Sequence, residues 1–262
     1  MSDVVLLDVT DRVATVTLNR PSARNALSRD VRRLLPKLMS EADARDDVDA
    51  VVLTGADPAF CAGLDLKELG SGDASLLDAG AVGAAPGKRP TGPFPEMRKP
   101  VIGAVNGVAI TGGLEVALAC DFLVASEQAR FADTHARVGI QPGWGLTVLL
   151  PQAVGLRRAR EMSATGNFVD AATALSWGLV NHVVPHGELL GFAQRLAADI
   201  ASNDARAVQT IYATYDEGSL LAGGEAWDVE SRTAAAWQGA GLDPAEIERR
   251  RQTVSDRGRT QV

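Results

Sequence analysis

Residues 100–119 read Pro100-Val101-Ile102-Gly103-Ala104-Val105, then Asn106-Gly107-Val108-Ala109-Ile110-Thr111-Gly112-Gly113, then Leu114-Glu115-Val116-Ala117-Leu118-Ala119. The first part is a short apolar run of buried type, the second a glycine-rich turn, the third an apolar helix start. The stretch therefore predicts strand, turn, helix. The same order occurs upstream: Asp49 to Thr54 predicts a buried strand ending at Gly55, and it leads into Phe60-Cys61-Ala62-Gly63-Leu64-Asp65-Leu66. A helix or turn opening after glycine leaves backbone N–H groups without internal partners, at the positive end of a dipole. Glycine also lets a ligand approach the main chain closely. Two such turns converging would make an oxyanion hole, with the N–H groups of Leu64 and Gly112 as candidate donors. Either turn alone is equally an ordinary tight turn.

Outward from this centre, Val4 to Val9 and Val13 to Leu18 predict a hairpin across Thr10-Asp11-Arg12. Ser28 is a good N-cap for a helix whose apolar face is Val31, Leu34, Leu35, Leu38, Met39 and Ala42. Pro36 falls inside that helix and predicts a kink or break near Leu35. Residues 70–95 hold six Gly, four Pro and five Ala, too few large side chains to bury much surface. They read either as a loose loop or as a lid over a pocket. Downstream, Asp121 to Ala125 and Val180 to Val184 predict strands. Asp170 caps a helix that Gly178 ends, and Leu189 to Ile200 carries an amphipathic helical stripe. No strand pattern follows. Asp243, Pro244 and Glu246 mark one more helix start, so residues 201–262 predict a helical region beyond a core of residues 1–200. No internal repeat of clean period is visible.

Composition bounds the function classes. The 262 residues are 46% apolar and 23% charged, as expected of one large globular domain or one domain with an appendage. The net charge of −7, with cations spread along the chain, argues against nucleic-acid binding, which usually needs a basic face. The longest apolar stretch, near Val101 to Ile110, is interrupted and too short for a bilayer span, so no membrane insertion is expected. Two cysteines and the start MSDVVLLDVT predict a reducing, cytoplasmic setting.

Among residues able to do chemistry, Glu115 stands in the first turn of the central helix, where the dipole favours an acid in any case. Its apolar neighbours Leu114, Val116, Ala117 and Leu118 predict partial burial, which raises a carboxylate pKa toward the range useful for proton transfer. Other centres fare poorly. Gly143-Trp144-Gly145-Leu146-Thr147-Val148 lacks the third small residue of a dinucleotide turn and follows Pro142 rather than a strand. No Gly-x-Ser-x-Gly elbow exists, and no His/Cys cluster suggests a metal site.

The ordered set Leu53-Thr54-Gly55, Ala59 to Glu68, Lys99 to Gly107, Gly112 to Ala117 and Cys120-Asp121 resembles the crotonase (enoyl-CoA hydratase/isomerase) superfamily. Arg20-Pro21, Asn25-Ala26-Leu27, Pro142-Gly143 and Ala171 to Val184 extend the match. The resemblance implies an α/β fold, a crotonase-like ββα superhelix with a helical C-terminal region that builds trimers or dimers of trimers. It implies an acyl-CoA thioester substrate, with CoA as part of the substrate and no separate cofactor. By family position the oxyanion donors are Leu64 and Gly112, the pair already read from the turns. Arg24 and Ala26 would line the nucleotide end of CoA, and Ala62, Asp65, Leu66 and Lys67 the pantetheine path. Gly143 would help hold the water or the second acid, with the bulky Trp144 beside it.

A hydratase of this family pairs a glutamate at the Glu115 position with a second about twenty residues on. Here that second position is His135. An imidazole can pass protons near neutral pH, but its reach and charge differ from a carboxylate's, and a packed core histidine is the plain alternative. Asp133 is a lesser candidate. Three readings follow: an enoyl-CoA hydratase-like lyase using Glu115 and His135, an enoyl-CoA isomerase needing one base, or a non-catalytic acyl-CoA-binding protein. His182, His186 and the run Arg249 to Arg251 read as structural or solvated.

Overall fold

A computed structural model describes residues 4–69 and 92–215, together with residues 235, 245, 248, 251 and 259. Most of the expected 70–95 loop and the helix expected from Asp243 lie outside the described residues. Of the basic run, the described Arg251 pairs with Glu248 at 2.6 Å.

Strands β1 (Val5–Thr10) and β2 (Val13–Leu18) form the expected antiparallel hairpin. Asp11 and Arg12 both adopt positive φ in the two-residue turn, which matches the strand twist. Helix α1 (Arg29–Ala44) begins at Ser28, whose hydroxyl accepts from the Val31 amide. It runs without interruption through Pro36, so the expected break does not occur. A helix-interior proline costs about 3 kcal/mol, but Val31, Leu35, Met39 and Ala42 are all buried along one face. Val31, Leu35 and Met39 each recover roughly 1.5–3 kcal/mol, which together outweigh the lost bond.

The chain then repeats one device three times. Strand β3 (Ala50–Gly55) passes into the short β4 (Ala59–Cys61) and helix α2 (Leu66–Leu69). Strand β5 (Val101–Val105) passes into β6 (Val108–Ile110) and helix α3 (Gly112–Leu118). Strand β7 (Phe122–Ser126) passes into β8 (Arg130–Ala132) and helix α4 (His135–Val138). Helices α5 (Leu146–Val154) and α6 (Leu156–Thr165) follow, then β9 (Val169–Asp170), α7 (Ala171–Trp177), β10 (His182–Val184) and α8 (Leu189–Ala201). Residues 205–215 are helical as well.

The long strands form a six-stranded sheet in the order β1-β2-β3-β5-β7-β10, parallel except for the first pair. The short strands form a second sheet in the order β4-β6-β8-β9. This is the expected ββα superhelix. Every residue of β3 and β5 is buried, because the sheet is covered on both faces. One face packs into the main core with Val51 and Leu53. The other meets α8, where Val52, Ile102 and Val124 pack on Leu189, Ala193 and Ala197.

Candidate active site

The two glycine turns are brought together by direct contact of main chains. Gly63 has φ +86°, and a Cβ there would lie 2.7 Å from the Ile110 carbonyl and 3.5 Å from the Gly112 nitrogen. A Cβ on Gly113 would lie 2.1 Å from the Cys61 carbonyl. No side chain fits between the end of β4 and the start of α3, so the turn at Gly63 and the turn at Gly112 meet main chain to main chain. The bridge between Leu27 and Leu64 uses the Gly63 carbonyl and the Asp65 amide, and the Leu64 N–H takes no part in it. Gly112 is the first residue of α3, where N–H groups have no intrahelical acceptor. Thr111 before it holds φ +56°, a rare conformation for a β-branched residue. Its amide donates to the Ala132 carbonyl, and its hydroxyl lies 2.5 Å from that of Thr134. These two bonds tie α3 to the segment that carries His135.

Glu115 is buried, with 3% of its surface exposed. Its Oε1 accepts from the amides of Gly143 (3.2 Å) and Trp144 (2.8 Å). Its Oε2 lies 3.5 Å from His135 Nε2, a close ionic contact longer than a normal hydrogen bond. On the far side of the ring, Nδ1 is 2.6 Å from Asp133 Oδ1, which also accepts from the His135 amide at 3.1 Å. Burial works against the Asp133 carboxylate, but the bonds from His135 and the Ser163 hydroxyl outweigh it and hold its pKa below the ordinary value. Burial likewise disfavours the imidazolium. The bonds and charges of Asp133 and Glu115 override it, and His135 is raised to about 9. The Cys61 thiol is pushed up to about 12 by burial, which leaves it a poor nucleophile.

The sequence-derived residues fall into three groups. Glu115, His135, Gly143 and Trp144 come together in one cluster. Arg24, Ala62, Leu64 and Leu66 line one cavity of about 510 Å³, with Thr111, Thr134 and Arg137 on its other walls. Gly112 stands at the junction of the two. Ala26, Asp65 and Lys67 do not line that cavity. Asp65 accepts from the Lys67 amide and pairs with Arg20 at 3.0 Å, and Ala26 gives its carbonyl to the same arginine. Lys67 is exposed. Sequence reading missed Arg20, Ser163 and the Thr111–Thr134 bridge. Ser163 lies on α6, whose LRRAREMSAT shows little apolar periodicity and buries only Ala159 and Met162. His186, expected to be structural, joins Ser126 (3.0 Å) to Asp57 (3.2 Å).

Known proteins give the same picture. A sequence model described as enoyl-CoA hydratase/isomerase matches residues 8–238. A probable peroxisomal enoyl-CoA hydratase 1 of Arabidopsis thaliana is 38% identical over 246 residues, 94% of this chain and 90% of that one. The crystal structure of an enoyl-CoA hydratase from Mycobacterium smegmatis matches with a TM-score of 0.81 at 49% identity, covering 91% of this chain and 100% of that one. A monofunctional enoyl-CoA isomerase from M. smegmatis matches at 0.68 and 34% identity, covering 83% and 94%. The glycine turns pressed main chain to main chain, the buried acid at the head of α3 and a family match across most of the residues together place this chain in the enoyl-CoA hydratase/isomerase family.

Proposed function

We propose that the protein is a lyase that adds water across the double bond of a trans-2-enoyl-CoA thioester. The observation that carries the reading is the 3.5 Å contact between Glu115 Oε2 and His135 Nε2 beside the start of α3. Hydration needs two proton-handling groups. Glu115 takes a proton from water as the oxygen adds to the β-carbon, and charge moves onto the thioester oxygen. The Leu64 and Gly112 amides hold that oxygen, aimed at charge that develops in the transition state. His135 then gives its Nε2 proton to the α-carbon, and the proton on Glu115 returns to Nε2. Isomerisation would need only one base, so the second group favours the hydratase. Several relatives named enoyl-CoA hydratase support the same choice.

The chemistry asks for no group beyond the substrate's own CoA. Its pantetheine arm fits the cavity along Ala62, Leu64 and Leu66, with Arg24 toward the phosphates. Trp144 supports a narrow acyl space, since its ring lies 3.7 Å from where a Gly112 Cβ would stand and is covered by Arg32 at 5.9 Å. The expected result is loss of enoyl-thioester absorbance with crotonyl-CoA, at a kcat/KM that falls with longer acyl chains. Conversion of 3-enoyl-CoA without any hydration would replace this reading by the isomerase, and tight binding without turnover by the carrier. His135→Ala is expected to lose about 10²-fold in kcat; an unchanged rate would make the histidine a packing residue.

The remaining expectations belong to the same proposal. Exposed Ile211 and Tyr215 on the helix of residues 205–215 offer apolar surface to a trimer or a pair of trimers, which light scattering would check. Among the described residues no helix is long and apolar enough to cross a membrane. Two buried, free thiols support a reducing compartment such as the cytoplasm, which localisation of a tagged chain would check.

A further inference from the structure

Two groups flank the His135 ring, and the hydratase reading uses only one of them. We propose that Asp133 is the positioning residue of this site: it anchors His135 through Nδ1–H, so that the opposite nitrogen carries the transferable proton and faces Glu115. The inference rests on the hydratase reading and goes beyond it, because it assigns how the ring is oriented and charged.

The geometry is specific. Asp133 Oδ1 receives both the ring Nδ1–H at 2.6 Å and the main-chain amide of the same histidine at 3.1 Å. That double hold fixes the side chain's rotation as well as its tautomer, and Asp133 is 2% and His135 5% exposed, so water does not compete. The Ser163 hydroxyl, on α6, also favours the charged aspartate. A histidine whose one nitrogen is committed to a carboxylate presents its other nitrogen in a defined state. Here that nitrogen lies 3.5 Å from Glu115 Oε2.

Other groups do not take over this role. Arg137, on the same short helix as His135, sends its guanidinium to the Thr165 carbonyl and Asn167. The amides of Gly143 and Trp144 bind Glu115 rather than the ring. The charged groups acting on the imidazole are thus Asp133, from the end of β8, and Glu115, from α3. Together they keep the ring protonated up to about pH 9 despite burial.

The consequence concerns proton balance. Where a second glutamate would need to be protonated in order to donate, the Asp133-held imidazolium already carries the proton at neutral pH. The α-carbon gains a proton from Nε2, water loses one to Glu115, and transfer from Glu115 to Nε2 restores the start. Asp133 gains and loses nothing.

The test compares wild type, Asp133→Asn and Asp133→Glu. With crotonyl-CoA, Asp133→Asn is expected to lower kcat about 10- to 100-fold while KM stays within about twofold. Its alkaline limb of kcat is expected to move down by about one pH unit or more, with partial return in Asp133→Glu. Ring-nitrogen NMR provides a readout that needs no activity. His135 in wild type should stay protonated through pH 8, with a far-downfield Nδ1 proton, and should titrate lower in Asp133→Asn. If wild type hydrates and the variant keeps its kcat and limb, the inference fails while the hydratase reading stands. If wild type fails to hydrate but the ring titrates as described, the reaction fails and the positioning role stands. A wild-type ring that is neutral at pH 7 overturns the inference even where the variant does not fold.

Discussion

Glu115→Gln is expected to remove about 10²- to 10⁴-fold of kcat while leaving acyl-CoA affinity within a few-fold. The substitution keeps shape and volume. The amide oxygen can still accept from Gly143 and Trp144, the bonds that seat this side chain, so the loop before α5 stays in place. What is lost is the oxygen that faces His135. An amide NH₂ there would meet the ring's own Nε2–H, donor against donor, and it has no lone pair to take a proton from water. In the proposed function the CoA arm binds elsewhere, along the cavity of Arg24, Ala62, Leu64 and Leu66, so Kd measured by calorimetry should hardly change. Turnover within about threefold of wild type would remove Glu115 from the mechanism.

The second large effect is on folding. Gly113→Ala in a helix would ordinarily stabilise by about 1 kcal/mol through reduced chain entropy. Here the sign reverses. The added carbon would stand 2.1 Å from the Cys61 carbonyl oxygen and 2.8 Å from its carbon, and both atoms belong to the main chain of β4. Strand β4 is paired with β6 through Ala59 and Cys61, so it cannot retreat without unzipping the small sheet. We expect a loss of about 3 kcal/mol or more in urea unfolding, in the range of backbone conflicts and overpacking. A folded remainder should also have weak activity, because α3 and the Leu64 turn would be pushed apart. Gly187→Ala serves as the comparison: nothing lies within 4 Å of the new carbon and its backbone is outside the left-handed region, so a change within about 0.5 kcal/mol is expected. Equal effects at both positions would show that the collision is relieved cheaply and that the close approach of the turns is not structurally demanding.

These two experiments address what was readable in different degrees. The buried strands at Val51–Thr54 and Val101–Val105 and the hairpin were legible because parallel, doubly covered strands are continuously apolar and hairpin strands alternate. The threefold ββα device was legible only through the family resemblance, not from any period. Its long strands begin at Ala50, Val101 and Phe122, unequal intervals that erase any sequence period, and β4, β6 and β8 are three residues each. Pro36 illustrates the opposite error: it does not break α1, since the buried face of the helix overrules that local signal. Helix α5 escaped because it is nearly all apolar, and α6 because six of its ten residues are polar and it buries only Ala159 and Met162, so neither shows a clear stripe.

Composition, ordered motifs and the glycine positions by themselves determined the superfamily, the α/β class and the candidate donors at Leu64 and Gly112, because glycine's missing side chain is a property of the residue wherever it stands. Only the tertiary structure decided what His135 is. Its sequence neighbours could not say which nitrogen faces which carboxylate, since Asp133 reaches it across two residues and Glu115 from another helix, while Ser163 acts on Asp133 from a third. A titratable group takes its charge from the atoms around it in space, and here those atoms come from segments up to 48 residues apart in the chain.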